Sequence, residues 1–355
     1  MASKAKPVRL AIIGTGGMAN SHASAFAAIP GVSLVAGVDV DPARAAAFAT
    51  KHSIPQSFPS LEALLASGLA FDAVTNVTPD RFHAPVSLAA LKAGKHVLCE
   101  KPLAVDHAEA LRMVKAAHAA GVVHMVNFSY RNWSAIQGIA RAVERGVLGE
   151  LRHIEASYLQ AWLVSNAWGD WRKTPAWLWR LSSQHGSKGA LGDVGVHIVD
   201  FATFPCGPIS EVFCRLKAFP KAPGDRLGEY PLDANDSAVL NVVFANGALG
   251  TIHTTRWCGG HANRLSLKIA GTKGTIDFDS ERSTTAYRVC KGQAVHTAAW
   301  ETVEVKPTPS NYERFIRAIR TGKPEQPDFD RGAQVQRVLD ACFASDAAGK
   351  PIRLS

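Results

Sequence analysis

VRLAIIGTGGMA, residues 8–19, decides the fold. Residues 8–13 form an apolar run interrupted only by Arg9, the pattern of a parallel strand buried on both faces. Gly14-Thr15-Gly16-Gly17-Met18-Ala19 then reads G-x-G-x-x-A and leads into a stretch of small residues with helical character that runs to residue 29. Glycines at such a turn let a backbone approach a pyrophosphate, and the helix that follows offers free N–H donors and the positive end of its dipole. Ala19 takes the third small position, where helix meets strand. A second apolar run, residues 33–39, ends in Asp39. An acid there can accept both ribose hydroxyls of NAD and opposes the extra phosphate of NADP, so NAD is the expected cofactor and NADP the lesser alternative. Arg44, a few residues on, reads as a solvated helix arginine.

The alternation continues outward. Strands are expected at 72–77, 96–99 and 122–128, and helices at 42–52, 61–67, 83–93 and 106–120, the last capped by Asp106. Strand–helix repetition of this kind predicts a doubly wound parallel sheet of the Rossmann type over residues 1–130. Ligands in such sheets bind beyond the carboxyl ends of the strands. That rule nominates Asn76, Thr78, Pro79 and His83 after one strand, Glu100 and Lys101 after the next, and Asn127 after the last, beside Gly14, Thr15, Gly16, Gly17, Met18 and Asp39.

The texture changes after residue 130. One helix (134–145) and a long strand (151–162) precede residues 163–188, which carry little periodicity. A helix at 191–204 and seven strand-like segments between 210 and 305 follow, two of them joined by the hairpin signal Asn246-Gly247. Helices at 311–320 and 331–348 end the chain. Residues 131–355 therefore read as a second, α+β domain with an open mixed or antiparallel sheet.

Two features of this half carry chemistry. In residues 192–200, GDVGVHIVD, an α-helix places Asp193, His197 and Asp200 within a sector of about 60° on an otherwise apolar helix. A helix apolar nearly all round is buried, and buried acids need partners, so the stripe faces a hydrogen-bond network or a polar cavity. A histidine between two acids suits general acid–base work. The second feature is aromatic. Five of the eight tryptophans fall between residues 162 and 179, interleaved with Arg172, Lys173 and Arg180. Trp168, Trp171 and Arg172 are candidate sugar contacts, since flat rings stack on C–H faces while polar groups bond hydroxyls.

The sequence has 355 residues, 39 Lys+Arg against 30 Asp+Glu, and 47% hydrophobic residues, a composition that excludes a disordered chain. The net charge of +9 is scattered, which argues against a nucleic-acid surface. No apolar run approaches the ~18 residues of a membrane span, and the basic start lacks the apolar core of a signal peptide. The six cysteines have no metal or disulfide spacing, which suggests a reducing cytoplasm; no metal site is expected.

With AIIGTGGMA at 11–19, VDVD at 38–41, TPDRFH at 78–83, HVLCEKPLA at 96–104 and ALGDVGVHIVD at 190–200, the sequence resembles the Gfo/Idh/MocA oxidoreductases, the family of glucose–fructose oxidoreductase and inositol dehydrogenase. The resemblance implies NAD(P)-linked oxidation or reduction of a sugar, cyclitol or glycoside at a CH–OH carbon. It implies a catalytic set of Lys101, Asp193 and His197; beside them, Tyr130 and Arg131 are expected to grip the rest of the ring. It further implies a homodimer or homotetramer built through the C-terminal sheet. A glycosidase that recycles its NAD, and a catalytically silent NAD-binding regulator, are the rival readings.

Overall fold

The computed structural model describes residues 7–354. Residues 1–6, which carry part of the basic start, lie outside the described residues. The chain forms two compact units. One runs to Ser129 and takes in Pro309–Gln336; the other comprises Tyr130–Thr308 and Arg337–Ser355.

In the first unit β1 (Val8–Ile13), β2 (Val32–Val38), β3 (Gln56–Phe58), β4 (Ala73–Asn76), β5 (His96–Cys99) and β6 (His124–Val126) form one sheet in the order β3-β2-β1-β4-β5-β6. Every pair is parallel. The connections are α1 (Gly17–Ala27), α2 (Pro42–Lys51), α3 (Leu61–Ala66), α4 (His83–Lys92) and α5 (His107–Ala120). The chain winds one way from β1 to β3 and the other way from β4 to β6. The switch point, where ligands bind in open α/β sheets, is therefore at β1 and β4. Asp106 caps α5 by accepting the Glu109 N–H at 2.7 Å. β3 was not expected: its three residues, Gln-Ser-Phe, form an edge strand with no apolar run to signal it.

The second unit holds α6 (Ser134–Glu144), β7 (Leu151–Leu159), α7 (Pro175–Leu178), α8 (Val196–Cys206) and β8 (Ile209–Lys217), then the short pair β9 (Arg226–Leu227) and β10 (Tyr230–Pro231). Next come β11 (Ser237–Phe244), β12 (Leu249–Thr255), β13 (Arg264–Gly271), β14 (Gly274–Asp279), β15 (Ala286–Lys291) and β16 (Glu301–Glu304), and finally β17 (Ile352–Arg353). Nine of these strands form a sheet ordered β16-β15-β14-β13-β7-β12-β11-β8-β17. It is mixed, because β7 and β12 run parallel within otherwise antiparallel pairings. Burial alternates strictly along β12 and β14, so one face is packed and the other open. α8 lies against α6 and the central strands β7, β12 and β13.

The expected division at 130/131 does not account for the tail. α9 (Asn311–Thr321) belongs to the first unit: Tyr312, Phe315 and Ile316 pack with Phe26 and Ala23 of α1 and with Leu10 and Ile12 of β1. The sequence shows that this helix has an apolar face but not which sheet the face covers. α10 (Phe329–Ala348) begins among first-unit residues and ends among those of the second.

The single helix expected at 191–204 is also corrected. Leu191–Gly195 forms a π-helical turn before α8 begins. Gly192 is held to glycine here, because an added Cβ would lie 2.3 Å from that of Lys188. A π turn is wider than an α turn, so Asp193 leaves the register that would stack it with Asp200.

Candidate active site

The glycine turn has the shape its sequence predicts. Gly14 has φ +87°, and a Cβ there would lie 2.7 Å from the Val77 carbonyl oxygen, so only glycine fits. Gly16 and Gly17 are exposed, and a Cβ on either would meet nothing within 4 Å. α1 starts at Gly17 with no side chain capping its first turn, which leaves the N–H groups before Ala19, whose own donates to the Gly16 carbonyl, and the helix dipole to an anion. Ala19 is fully buried at the helix–strand contact. The open cradle, free donors and buried third position fit a dinucleotide pyrophosphate.

Asp39 closes the far end of this turn. Its Oδ2 accepts the Thr15 N–H at 2.9 Å and the Thr15 hydroxyl at 2.8 Å. Its Oδ1 accepts the Asp41 N–H at 3.0 Å and Arg44 Nη2 at 2.7 Å. Burial opposes ionisation, but the bonds from Arg44, Asp41 and Thr15 outweigh it and hold the carboxyl at about 2. Arg44 is thus not a solvated bystander. Its side chain, half exposed, pairs with Asp39 Oδ1 from α2.

The nominated residues divide. Gly16, Gly17, Met18 and Pro79 are exposed, and Thr78 and Lys101 half-buried. Asn76, His83 and Asn127 are enclosed, which corrects the expectation that they face a ligand. Asn76 donates to the His83 carbonyl and to Ser87, and accepts from the Thr78 N–H and hydroxyl. Asn127 donates to Glu100 at 2.7 Å and to the Tyr312 hydroxyl at 3.1 Å, and accepts from Asn311. These residues hold the strand-end loops in place.

Glu100 stands at the centre of a buried network that sequence reasoning missed. His22 bridges the Thr75 hydroxyl and Glu100 Oε1, both at 2.8 Å. Glu100 Oε2 accepts the N–H of Lys101 itself at 3.2 Å. Burial works against the Glu100 charge, yet His22, Lys101 and Asn127 hold its carboxyl at about 2. The available signal was His22: a histidine four residues before Phe26 on the core face of α1 requires a buried partner.

In the second unit the polar stripe separates into three. Asp200 takes both ends of the Arg131 guanidinium, at 2.8 and 2.7 Å, and Arg131 lies over the Phe204 ring. Arg131 is 2% exposed, so the structure corrects its assignment as a sugar contact: it is half of a buried ion pair. Asp193 accepts from Arg256 Nη2 at 2.8 Å and lies 3.8 Å from Arg180. Arg256, which sequence reasoning also missed, is fully buried beneath the Trp162 ring. His197 is nearly buried and meets the Tyr130 ring edge-on at 4.8 Å. The Tyr130 hydroxyl is 2.5 Å from that of Tyr158, which donates to Asn263 at 2.7 Å; Gln160 donates to the same Asn263 oxygen at 2.8 Å. Two tyrosine rings therefore flank His197, the Tyr158 ring centroid lying 6.3 Å from the imidazole.

The tryptophans mostly form a small core of their own. Trp162, Trp171, Leu178, Leu181 and Leu232 cluster, with Trp168 stacked on Trp177. Trp171 is 2% exposed and donates its ring N–H to the Leu163 carbonyl, which corrects its placement at a sugar ring. Arg172 is exposed over the outer face of Trp171. Among the described residues, His118, His124 and Asp330 bring ligand atoms within 4.8 Å of one another. One nitrogen of each ring already serves the protein, His118 Nε2 on Asp330 and His124 Nδ1 accepting the Phe329 N–H. No helix among the described residues is long and apolar enough to cross a membrane.

Comparison with known proteins agrees with this geometry. Levoglucosan dehydrogenase of Pseudarthrobacter phenanthrenivorans is 28% identical, over 96% of this chain and 96% of that protein. The 1,5-anhydro-D-fructose reductase of Ensifer adhaerens is 34% identical, over 76% of this chain and 74% of that protein. The solved structure of levoglucosan dehydrogenase in complex with NADH and levoglucosan superposes with a TM-score of 0.87 at 27% identity, covering 98% of this chain and 99% of that one. The model of the oxidoreductase family with an NAD-binding Rossmann fold matches residues 8–128, and that of the GFO/IDH/MocA C-terminal domain matches residues 136–277. The chain belongs to the GFO/IDH/MocA oxidoreductase family.

Proposed function

We propose that this protein is an NAD-dependent dehydrogenase that transfers a hydride between a hydroxyl-bearing carbon of a sugar, cyclitol or glycoside and the cofactor. The observation that carries the reading is the glycine cradle at the start of α1, open at Gly16 and Gly17 and closed by an ionised Asp39. NAD, when bound, accepts the hydride. The chain supplies the rest. Gly14, Thr15, Gly16, Gly17 and Met18 hold the pyrophosphate, and Asp39 the ribose. Lys101 positions the reacting hydroxyl and stabilises negative charge developing on its oxygen. His197 takes the hydroxyl proton as general base. Asp193, paired with Arg256, stabilises the imidazolium that results.

The surroundings of His197 favour an uncharged sugar. Arg131 and Arg256 are each matched by a carboxylate, while Tyr130, Tyr158, Gln160 and Asn263 present groups suited to hydroxyls. The open face of the nine-stranded sheet, where Val239 and Leu249 are exposed, supports assembly as a homodimer or homotetramer. Six free cysteines support a cytoplasmic setting.

A panel of levoglucosan, methyl glucosides, aldoses and inositols, run with NAD and with NADP, tests this reading. We expect NADH to accumulate with at least one neutral sugar, at a higher kcat/KM than with NADP. Glycoside cleavage without net NADH would establish the recycling glycosidase instead. Equal or better use of NADP would reassign Arg44 to the 2′-phosphate.

A further inference from the structure

His83 opens α4, is 1% exposed, and has both ring nitrogens on backbone carbonyl oxygens. Nδ1 lies 2.6 Å from the Pro102 oxygen and Nε2 lies 2.8 Å from the Thr78 oxygen. A carbonyl oxygen can only accept, and a neutral imidazole carries one N–H. A neutral His83 would turn a bare nitrogen lone pair onto a carbonyl oxygen at one of these distances, in a place closed to water. Both contacts are hydrogen bonds only if both nitrogens are protonated. We propose that His83 is a permanent imidazolium, and that this buried cation is a positioning residue, stapling the turn that carries Thr78 to the turn that carries Lys101.

The charge has support nearby. Asp80 lies on the turn before α4, Cys99 ends β5, and Lys101 and Glu100 are the other ionisable groups at that strand end. Burial acts against the cation, but the Cys99 side chain, Asp80 and the Pro102 carbonyl outweigh it and lift the imidazole to about 10. Asn76 fixes the residue from the other side by donating to the His83 carbonyl at 2.9 Å. Charge-assisted bonds of this kind are about twice as strong as neutral ones. Two of them therefore tie the Pro102 carbonyl, one residue beyond Lys101, to the Thr78 carbonyl. The charge on His83 stands independently of the proposed reaction; its effect on turnover rests on the role of Lys101.

The experiment is nitrogen-15 NMR of the full chain labelled at histidine, near pH 8.5, where an ordinary histidine, with a pKa of about 6.5, is neutral. The His83 signals are assigned by their loss in His83→Gln and by their displacement in Asp80→Asn, which leaves both carbonyl bonds intact. We expect two protonated ring nitrogens and two slowly exchanging ring N–H protons, with deprotonation at lower pH in Asp80→Asn. One protonated and one bare nitrogen would overturn the proposal. In folded His83→Gln we expect kcat to fall about ten- to hundredfold with NAD affinity kept within a few-fold. An unchanged kcat would overturn the positioning role while leaving the charge established. Should His83→Gln not fold, the wild-type and Asp80→Asn spectra still decide the charge, and kcat of Asp80→Asn followed through the deprotonation of His83 decides the rest: a fall in step supports the staple, and a flat profile overturns it.

Discussion

Replacing Lys101 by alanine is expected to lower turnover by about 10²- to 10⁴-fold while NAD binding changes by no more than a few-fold. The residue follows β5, at the carboxyl end of the sheet, and is half-buried. Its backbone is anchored on both sides: Glu100 accepts its N–H, and His83 holds the next carbonyl, that of Pro102. An anchored backbone fixes the root of the side chain, from which the flexible stem carries the ammonium to one oxygen. Losing it removes an interaction made most strongly in the transition state, so the loss appears in kcat more than in KM. Fluorescence titration with NADH and steady-state kinetics of Lys101→Ala separate the two. A near-native kcat on the best substrate would make the residue structural.

His197→Asn is expected to reduce oxidation comparably and to flatten the acid limb of the pH profile. A general base works unprotonated, so kcat/KM of the wild type falls as pH drops through the apparent pKa of the site. That value belongs to a coupled set, because Asp193 with its Arg256 partner and the Tyr130–Tyr158 pair share the environment. Asparagine keeps a polar side chain of similar reach but cannot take up the proton. The variant's kcat/KM against pH, measured beside a thermal melt, is decisive. An unchanged acid limb would assign the proton transfer elsewhere. A lower melting temperature with a near-native rate would make His197 a hydrogen-bonded core residue.

The parallel sheet was legible because buried strands such as β1 and β5 are short apolar runs with nothing else to be. The glycine turn was legible because Gly14 tolerates no other residue. β3 was hidden, since an edge strand of three residues needs no apolar pattern. The π turn was hidden as well: a period of 3.6 describes Leu191–Gly195 well enough, and only the packing of Gly192 against Lys188 shows that the turn widens. In the candidate site the polar residues were legible one by one, but their partners were not. Asp193 and Asp200 looked alike in sequence, yet their partners, Arg256 and Arg131, lie 63 and 69 residues away. Such distant pairings leave no local trace. The tryptophans misled for a related reason: a loop that builds its own small core has the composition of a sugar platform. His83 and Asn127 were found by the strand-end rule, but that rule does not distinguish a residue facing the ligand from one holding the loop beneath it.

The central claim is that a carbon-bound hydrogen of the sugar passes directly to the cofactor. The measurement that tests it most directly is mass spectrometry of the NADH formed from the best substrate of the panel, deuterated at every carbon-bound position, in ordinary water. The account predicts one deuterium per NADH, whichever carbon is oxidised. Product formed without NADH, or NADH carrying no deuterium, would contradict it.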